Sequence, residues 1–341
     1  MADDDIPAIA IAEDVARLAN VSLSAVSRAF TPGASVAPKT RARIMAAAAD
    51  VGYRPNMIAR SLMRGRSHIV GVGVGNLTNP FLSAALDALT IRLTKVGLRL
   101  LLFSTDEASI VNATIEDLVQ YRLDAVILLA VAPSPHLLEE CARARVPVIL
   151  FNRRGEAGGA TSGVTGDNDG GARSVAAFLA AGGHRRFAFI AGLDASLASR
   201  EREAGFARYL HEQGHDAPLR DNGGHTYSGA AAATRRLLLR PDRPDAIFCA
   251  NDLMALAAID VARSEFGLAI GSDLSIVGFD DITMASWPSF SLTTYGQSTE
   301  AMVDATIELT QSARAGNPAA QRMVPGALVI RSSARRPVGG A

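Results

Sequence analysis

Along the first fifty residues apolar positions recur every three or four places. Ile11, Val15, Leu18 and Ala19 form one stripe, and after the turn signal Asn20-Val21-Ser22 a second stretch runs from Leu23 to about Phe30, with Ser22 able to cap it. The spacing predicts two short helices across a tight turn. Small Ala16, left-hand-tolerant Asn20 and β-branched Val26 stand where a helix-turn-helix needs a close helix contact, a left-handed turn residue and a buried anchor. A third amphipathic stretch, roughly 38–51, opens with Pro38 in the first turn and presents Ile44, Ala48 and Val51 on one face. From residue 67 the period changes. Short β-branched or leucine-rich runs at 68–74, 98–103, 125–129, 146–151, 187–191, 246–250 and 274–279 alternate with helical stripes such as Leu82, Leu86, Leu89 and Leu93. That alternation predicts parallel sheets with crossover helices. A glycine-rich stretch, 155–171, separates two such sets and predicts two doubly wound subdomains with a ligand cleft between them, outside the carboxyl ends of the strands.

Composition narrows the class. The chain has 341 residues, 48% hydrophobic and 20% charged, enough to bury a sizeable core, which excludes a disordered or fibrous chain. Its apolar runs fall well short of the ~18–20 residues of a membrane helix. The acidic start Met1-Ala2-Asp3-Asp4-Asp5 is unlike a secretory signal, so the expected location is cytoplasmic. Cys141 and Cys249 lie far apart at apolar positions and read as buried thiols. Net charge is zero, yet residues 7–66 carry nine arginines and lysines against three acids, a net of +6. A basic head on a mildly acidic body is what phosphate-backbone binding by one domain requires.

In a helix-turn-helix the second helix enters the major groove, so Leu23, Ser24 and Arg28 are the expected base-reading residues, with Arg28 taking a guanine. Ser22, Ser27, Thr31 and Thr40 have hydroxyls placed for phosphates, although any of them serves equally as a cap or an exposed helix residue. The next segment carries a capping Asn56, small Ala59 and apolar Leu62 among arginines, a pattern that fits a short helix in the minor groove with Leu62 as a wedge. Asp14-Val15-Ala16, Val21-Ser22, Val26-Ser27-Arg28, Gly52-Tyr53-Arg54-Pro55-Asn56 and Ala59-Arg60-Ser61-Leu62 together resemble the LacI/GalR family of bacterial transcription regulators. Two positions depart from the family pattern: Thr31 stands where the family usually has Asn, and Ala37 where it usually has a phosphate-contacting Ser.

The body adds polar residues at strand ends: Asp280 and Asp281 after 274–279, Asn251 and Asp252 after 246–250, and Arg200 and Arg202 beyond 187–191. A carboxylate and a guanidinium facing one cleft can bind the vicinal hydroxyls of a sugar or the edge of a purine. Asn79-Pro80-Phe81, Asp167-Asn168, Arg202-Glu203-Ala204-Gly205-Phe206, Ala250-Asn251-Asp252 and Gly278-Phe279-Asp280-Asp281 are similar to the effector-domain motifs of the same family, whose fold is that of periplasmic sugar-binding proteins. That resemblance implies effector contacts from Phe81, Asp167, Arg202, Asn251 and Asp280. It also puts His225 where the family often has a stacking aromatic, which points to an effector more polar than a plain hexose.

The expected architecture is therefore a small all-α helix-turn-helix headpiece at 1–55, a hinge at 56–66, and an α/β periplasmic-binding-protein-like body. Its two doubly wound parallel-sheet subdomains are expected at 67–165 plus about 296–325, and at 166–295 plus about 326–341. The expected function is that of a sequence-specific regulator, a repressor, on pseudo-palindromic operator DNA. It would act as a homodimer, since the tail from Arg331 lacks leucine heptads, and would be switched by a small-molecule effector. No cofactor is expected. The competing class is a solute-binding protein without operator binding, and a third is a metallo-hydrolase, because His211-Glu212-Gln213-Gly214-His215 satisfies H-E-x-x-H. Gly214 argues against the third by ending the helix before His215. Gly71, Gly73 and Gly75 lack the third glycine of a dinucleotide fingerprint, and no phosphate-loop or nucleophile-elbow motif occurs, so no metal and no catalysis is expected.

Overall fold

The computed structural model describes residues 10–31, 33–54, 67–104, 121–156 and 158–337, which separate into two units dividing between Ser67 and His68. In the first, α1 (Ala12–Leu18), α2 (Leu23–Ala29) and α3 (Pro38–Asp50) enclose Val15, Ala19, Val26, Ala29, Ile44, Ala47 and Ala48. Asn20 takes φ 48°, the left-handed turn that the sequence requires, and the Ser22 hydroxyl accepts the Ala25 N–H at 3.3 Å. The α1 stripe is narrower than its spacing suggests. Ile11 and Leu18 are 53% and 54% exposed, because a seven-residue helix in so small a bundle buries only the Val15–Ala19 edge. Phe30 and Tyr53 meet edge to face at 5.7 Å. Arg41 reaches the carbonyls of Ala29 and Ala34, so this cation ties α2 to α3.

Helix α3 begins at Pro38 with Ala37 at its N-cap, and no side chain satisfies the first amides. A serine there supplies the missing acceptor. Ala37→Ser is expected to stabilise the helix by about 1 kcal/mol, seen in the full chain as slower hydrogen exchange at the Lys39 and Thr40 amides. Unchanged exchange would mean that the backbone at Ala37 does not present the hydroxyl to them.

Among the described residues the second unit carries two six-stranded sheets. The first has the order β11-β5-β4-β3-β1-β2, from β1 (Ile69–Val74), β2 (Arg99–Ser104), β3 (Ala125–Leu129), β4 (Val148–Phe151), β5 (Ser162–Gly166) and β11 (Gln321–Val324). The second has the order β12-β10-β9-β8-β6-β7, from β6 (Phe187–Ala191), β7 (Leu219–Asn222), β8 (Ala246–Cys249), β9 (Ser275–Asp280), β10 (Thr293–Gly296) and β12 (Ala327–Val329). Every neighbouring pair is parallel except β10 with β12. Helices cover the faces: α4 (Pro80–Lys95), α5 (Pro135–Ala144), α6 (Asn168–Ala181), α7 (Leu197–Glu212), α8 (Tyr227–Leu238), α9 (Asp252–Ser264) and α10 (Thr299–Arg314). Parallel strands buried on both sides read as continuous apolar runs, as β3, β6 and β8 do.

The chain passes between the sheets three times: from β5 to α6, from β10 to α10, and from β11 to β12. The glycine-rich stretch 155–171 holds the first of these passages, and it also contains β5 and the first turn of α6. Its glycines serve close approach. A Cβ on Gly163 would lie 2.4 Å from the Gln321 side chain, and one on Gly166 2.0 Å from that of Gln297. Gly71 and Gly73 lie within β1, where Leu123, Leu128 and Phe103 pack against the bare backbone. Cys141 and Cys249 are buried free thiols on α5 and β8, and burial pushes Cys141 up to about 11. Among the described residues no helix is long and apolar enough to cross a membrane.

Candidate functional site

On the first unit, Ser22, Leu23, Ser24, Ser27 and Arg28 are all exposed along α2, opposite buried Val26 and Ala29. Arg28 donates through Nε to the Ser24 carbonyl at 3.3 Å, and no carboxylate pairs with it among the described residues. Its two terminal amino groups remain as a free fork, which suits a guanine edge. The Thr31 hydroxyl donates to the Ser27 carbonyl at 2.9 Å, and Thr40 is half-exposed in the first turn of α3. Asn56, Ala59 and Leu62 lie outside the described residues.

In the second unit a cavity of about 340 Å³ opens at the carboxyl ends of strands from both sheets. Its floor is a buried charge cluster. Arg202, on α7 and 3% exposed, donates through Nε to Asn168 Oδ1 at 2.9 Å and through Nη1 to the Ala250 carbonyl at 2.5 Å. Its guanidinium lies 3.6 Å above the Phe279 ring and 3.5 Å from Asp280 Oδ1. Asp280 ends β9 at φ 122° and accepts the Gln297 amide at 2.8 Å. Behind it Asp252 accepts the Ile282 N–H at 2.9 Å and the Thr294 hydroxyl at 2.6 Å. Burial pushes Asp280 up to about 6 against the pull of Arg202, and burial with the Asp280 charge pushes Asp252 up to about 7.

Around this floor several buried polar atoms have no partner. Asn251 caps α9 with its oxygen on the Met254 N–H, which leaves its Nδ2 unsatisfied. His225, held at φ 58° against Gly192, has an unpartnered Nδ1, and burial lowers it to about 4, so the ring is neutral at physiological pH. Asn152, at φ 57° just past β4, has an unpartnered Oδ1. Buried polar groups are normally satisfied, so donors and an acceptor left open around one cavity describe the complement of a hydroxyl-rich ligand.

Of the residues expected from sequence, Arg202, His225, Asn251 and Asp280 line this cavity. Phe81 does not: it turns into the core against Phe151, ring centroids 6.1 Å apart. Asp167 spends its carboxylate on the Gly170 N–H as the N-cap of α6, and it too lies off the cavity lining. The sequence reading missed Asn76, Asn152 and Arg153, each one or two residues past the end of a strand, and Asn79 and Ser196, which cap α4 and α7. Their position after strands was the available signal. His211 and His215 do not share a helical face, since α7 ends at Glu212, Gly214 takes φ 76° and His215 packs on Phe187 at 5.0 Å.

A cleft at the switch points of two doubly wound sheets, together with a helix-turn-helix unit, defines a ligand-responsive DNA-binding protein. The comparisons agree. Residues 12–56 match the family described as bacterial regulatory proteins, lacI family, and residues 176–334 match a periplasmic binding protein-like domain. The chain is 34% identical over 302 residues to the HTH-type transcriptional regulator CelR of Thermobifida fusca, covering 85% of this chain and 87% of that one. Among solved structures it is similar to a complex of transcriptional regulator CelR with cellobiose, at 29% identity, TM-score 0.73 and 95% and 99% coverage. It is also similar to the lac repressor dimer bound to operator and the anti-inducer ONPF, at 25% identity, TM-score 0.85 and 96% and 100% coverage. The chain belongs to the lacI family of bacterial regulatory proteins. It is a DNA-binding transcriptional regulator and not an enzyme.

Proposed function

We propose that the protein is a cytoplasmic repressor that binds a pseudo-palindromic operator as a homodimer and changes its hold on DNA when a sugar or sugar derivative occupies the cleft of the body. The observation that carries this reading is the ring of unsatisfied buried polar atoms on Asn152, His225 and Asn251 around the Arg202–Asp280 pair. The relatives support it, one being solved with cellobiose and another as a dimer on its operator. Leu23, Ser24 and Arg28 read bases in this account, and Ser22, Ser27, Thr31 and Thr40 hold phosphates. Residues 67–165 with about 296–325, and 166–295 with about 326–341, act as the two subdomains. A ligand that binds their two arrangements unequally shifts the population between them, and through residues 56–66 the affinity for DNA.

Selection of duplexes from random DNA, followed by fluorescence anisotropy, tests the reading. A two-fold related site is expected, with affinity that falls linearly on a log–log plot against salt and that responds to a sugar which also raises the melting temperature. A protein stabilised by sugars that selects no duplex would instead be a solute-binding protein.

A further inference from the structure

Resting on the cleft as the effector site, the charges around it name the kind of sugar. Arg202 is matched by Asp280, the only carboxylate among the described residues of the cavity lining, so that pair is neutral. Arg154 is matched across the cleft by Glu201, 3.5 Å away on α7. Arg153 has no such match among the described residues. It lines the cavity half-buried just past β4, and among the described residues its guanidinium has neither an ion pair nor a hydrogen bond. Its charged neighbour is another cation, Arg200 of α7, which donates to the Asp194 carbonyl at 2.6 Å and pairs with no carboxylate among the described residues. Burial and that repulsion both lower the Arg153 pKa. The two arginines come from opposite sheets, so closing the cleft without an intervening anion brings like charges together.

We propose that the effector is an anionic carbohydrate, a sugar bearing a phosphate or a carboxylate whose charge is taken by Arg153 with Arg200 facing it. The uncharged Asn152, His225 and Asn251 meet the ring hydroxyls, while the planar guanidinium fork meets the anion. Space for the substituent exists, because Arg153 also lines an adjoining cavity of about 370 Å³ between α5 and residues 153–156 and 159–161. A neutral sugar would satisfy the asparagines and leave the partly desolvated cation uncompensated.

The test is calorimetric titration of the full-length protein with matched sets, each a neutral sugar, its terminal phosphate and its uronate, on glucose, galactose, mannose and ribose frames. For at least one frame an anionic member is expected to bind roughly tenfold or more tighter than its neutral parent, and the better of the two identifies the anion. Arg153→Gln is expected to bring that ratio to near one and Arg153→Lys to keep part of it, and added salt should shrink it in the unaltered protein. A neutral parent that binds as tightly as its anionic forms, or a ratio that survives Arg153→Gln, overturns the proposal and leaves the sugar cleft standing. Failure of every carbohydrate to bind overturns both.

Discussion

Arg202→Ala is expected to destabilise the body by about 3–5 kcal/mol, the usual consequence of removing one partner of a buried charge pair. The guanidinium is 3% exposed and satisfies Asn168, the Ala250 carbonyl, Asp280 and the Phe279 face together, so its loss strands the Asp280 carboxylate and removes the cation whose charge also offsets Asp252. The deficit should depend on pH with a definite sign. Both Asp280, at about 6, and Asp252, at about 7, are raised above the ordinary value of 3.8. The folded state therefore holds more protons than the unfolded state between about pH 4 and 7, and these groups reduce stability as pH rises through that window. Without Arg202 both carboxyls shift further upward, and at pH 5.5 they are largely protonated and harmless. Urea unfolding should show a larger loss at pH 8 than at pH 5.5. A deficit that does not change with pH would mean that the missing hydrogen bonds, and not the stranded charge, set the cost. The melting-temperature rise produced by the effector should vanish in the same variant.

The second large effect belongs to the headpiece. Arg28→Ala is expected to weaken operator binding by about 1–3 kcal/mol, roughly 5- to 150-fold, and to relax preference at one base pair. Thr40→Ala should weaken binding less and uniformly across sequences, because phosphate contacts carry no sequence information. Anisotropy against operators altered one position at a time separates the two. If Arg28→Ala leaves every preference intact, then α2 does not read DNA through this fork.

Much of the fold was legible because local and tertiary demands coincide. Asn20, Ser22 and Val26 each sit where a helix-turn-helix needs them, and β1, β3, β6, β8 and β9 are near-continuous apolar runs. What escaped were strands without that mark. β7 is a half-buried edge and β11 an exposed one, β10 and β12 have four and three residues, and β5 is hidden by glycines whose meaning lies in the Gln297 and Gln321 side chains beside them. The site was legible to the extent that its chemistry follows strand ends, which gave Arg202, Asn251 and Asp280. Phe81 and Asp167 sit in the expected motifs, yet one faces the core and the other a helix terminus, and a side chain's direction is not written in its spacing. Arg153 also follows a strand, but in a chain whose basic residues are nearly all arginine, what sets it apart is the lack of a partner among the described residues, which only the folded structure reveals.

The three passages between the sheets restrict what a bound ligand can do mechanically. A body joined by one tether can swivel, slide and twist, and binding energy spreads over all of those motions. Three tethers side by side remove most of that freedom and leave bending about the line through them as the soft coordinate. Two of them touch where bare Gly166 lies against Gln297, and Gln297 holds Asp280. Asp280, on the cavity lining, is thus one hydrogen bond from the pivot, a short lever arm. With so short an arm, a displacement of a fraction of an ångström at the cavity lining would become a much larger one at the far ends of the subdomains.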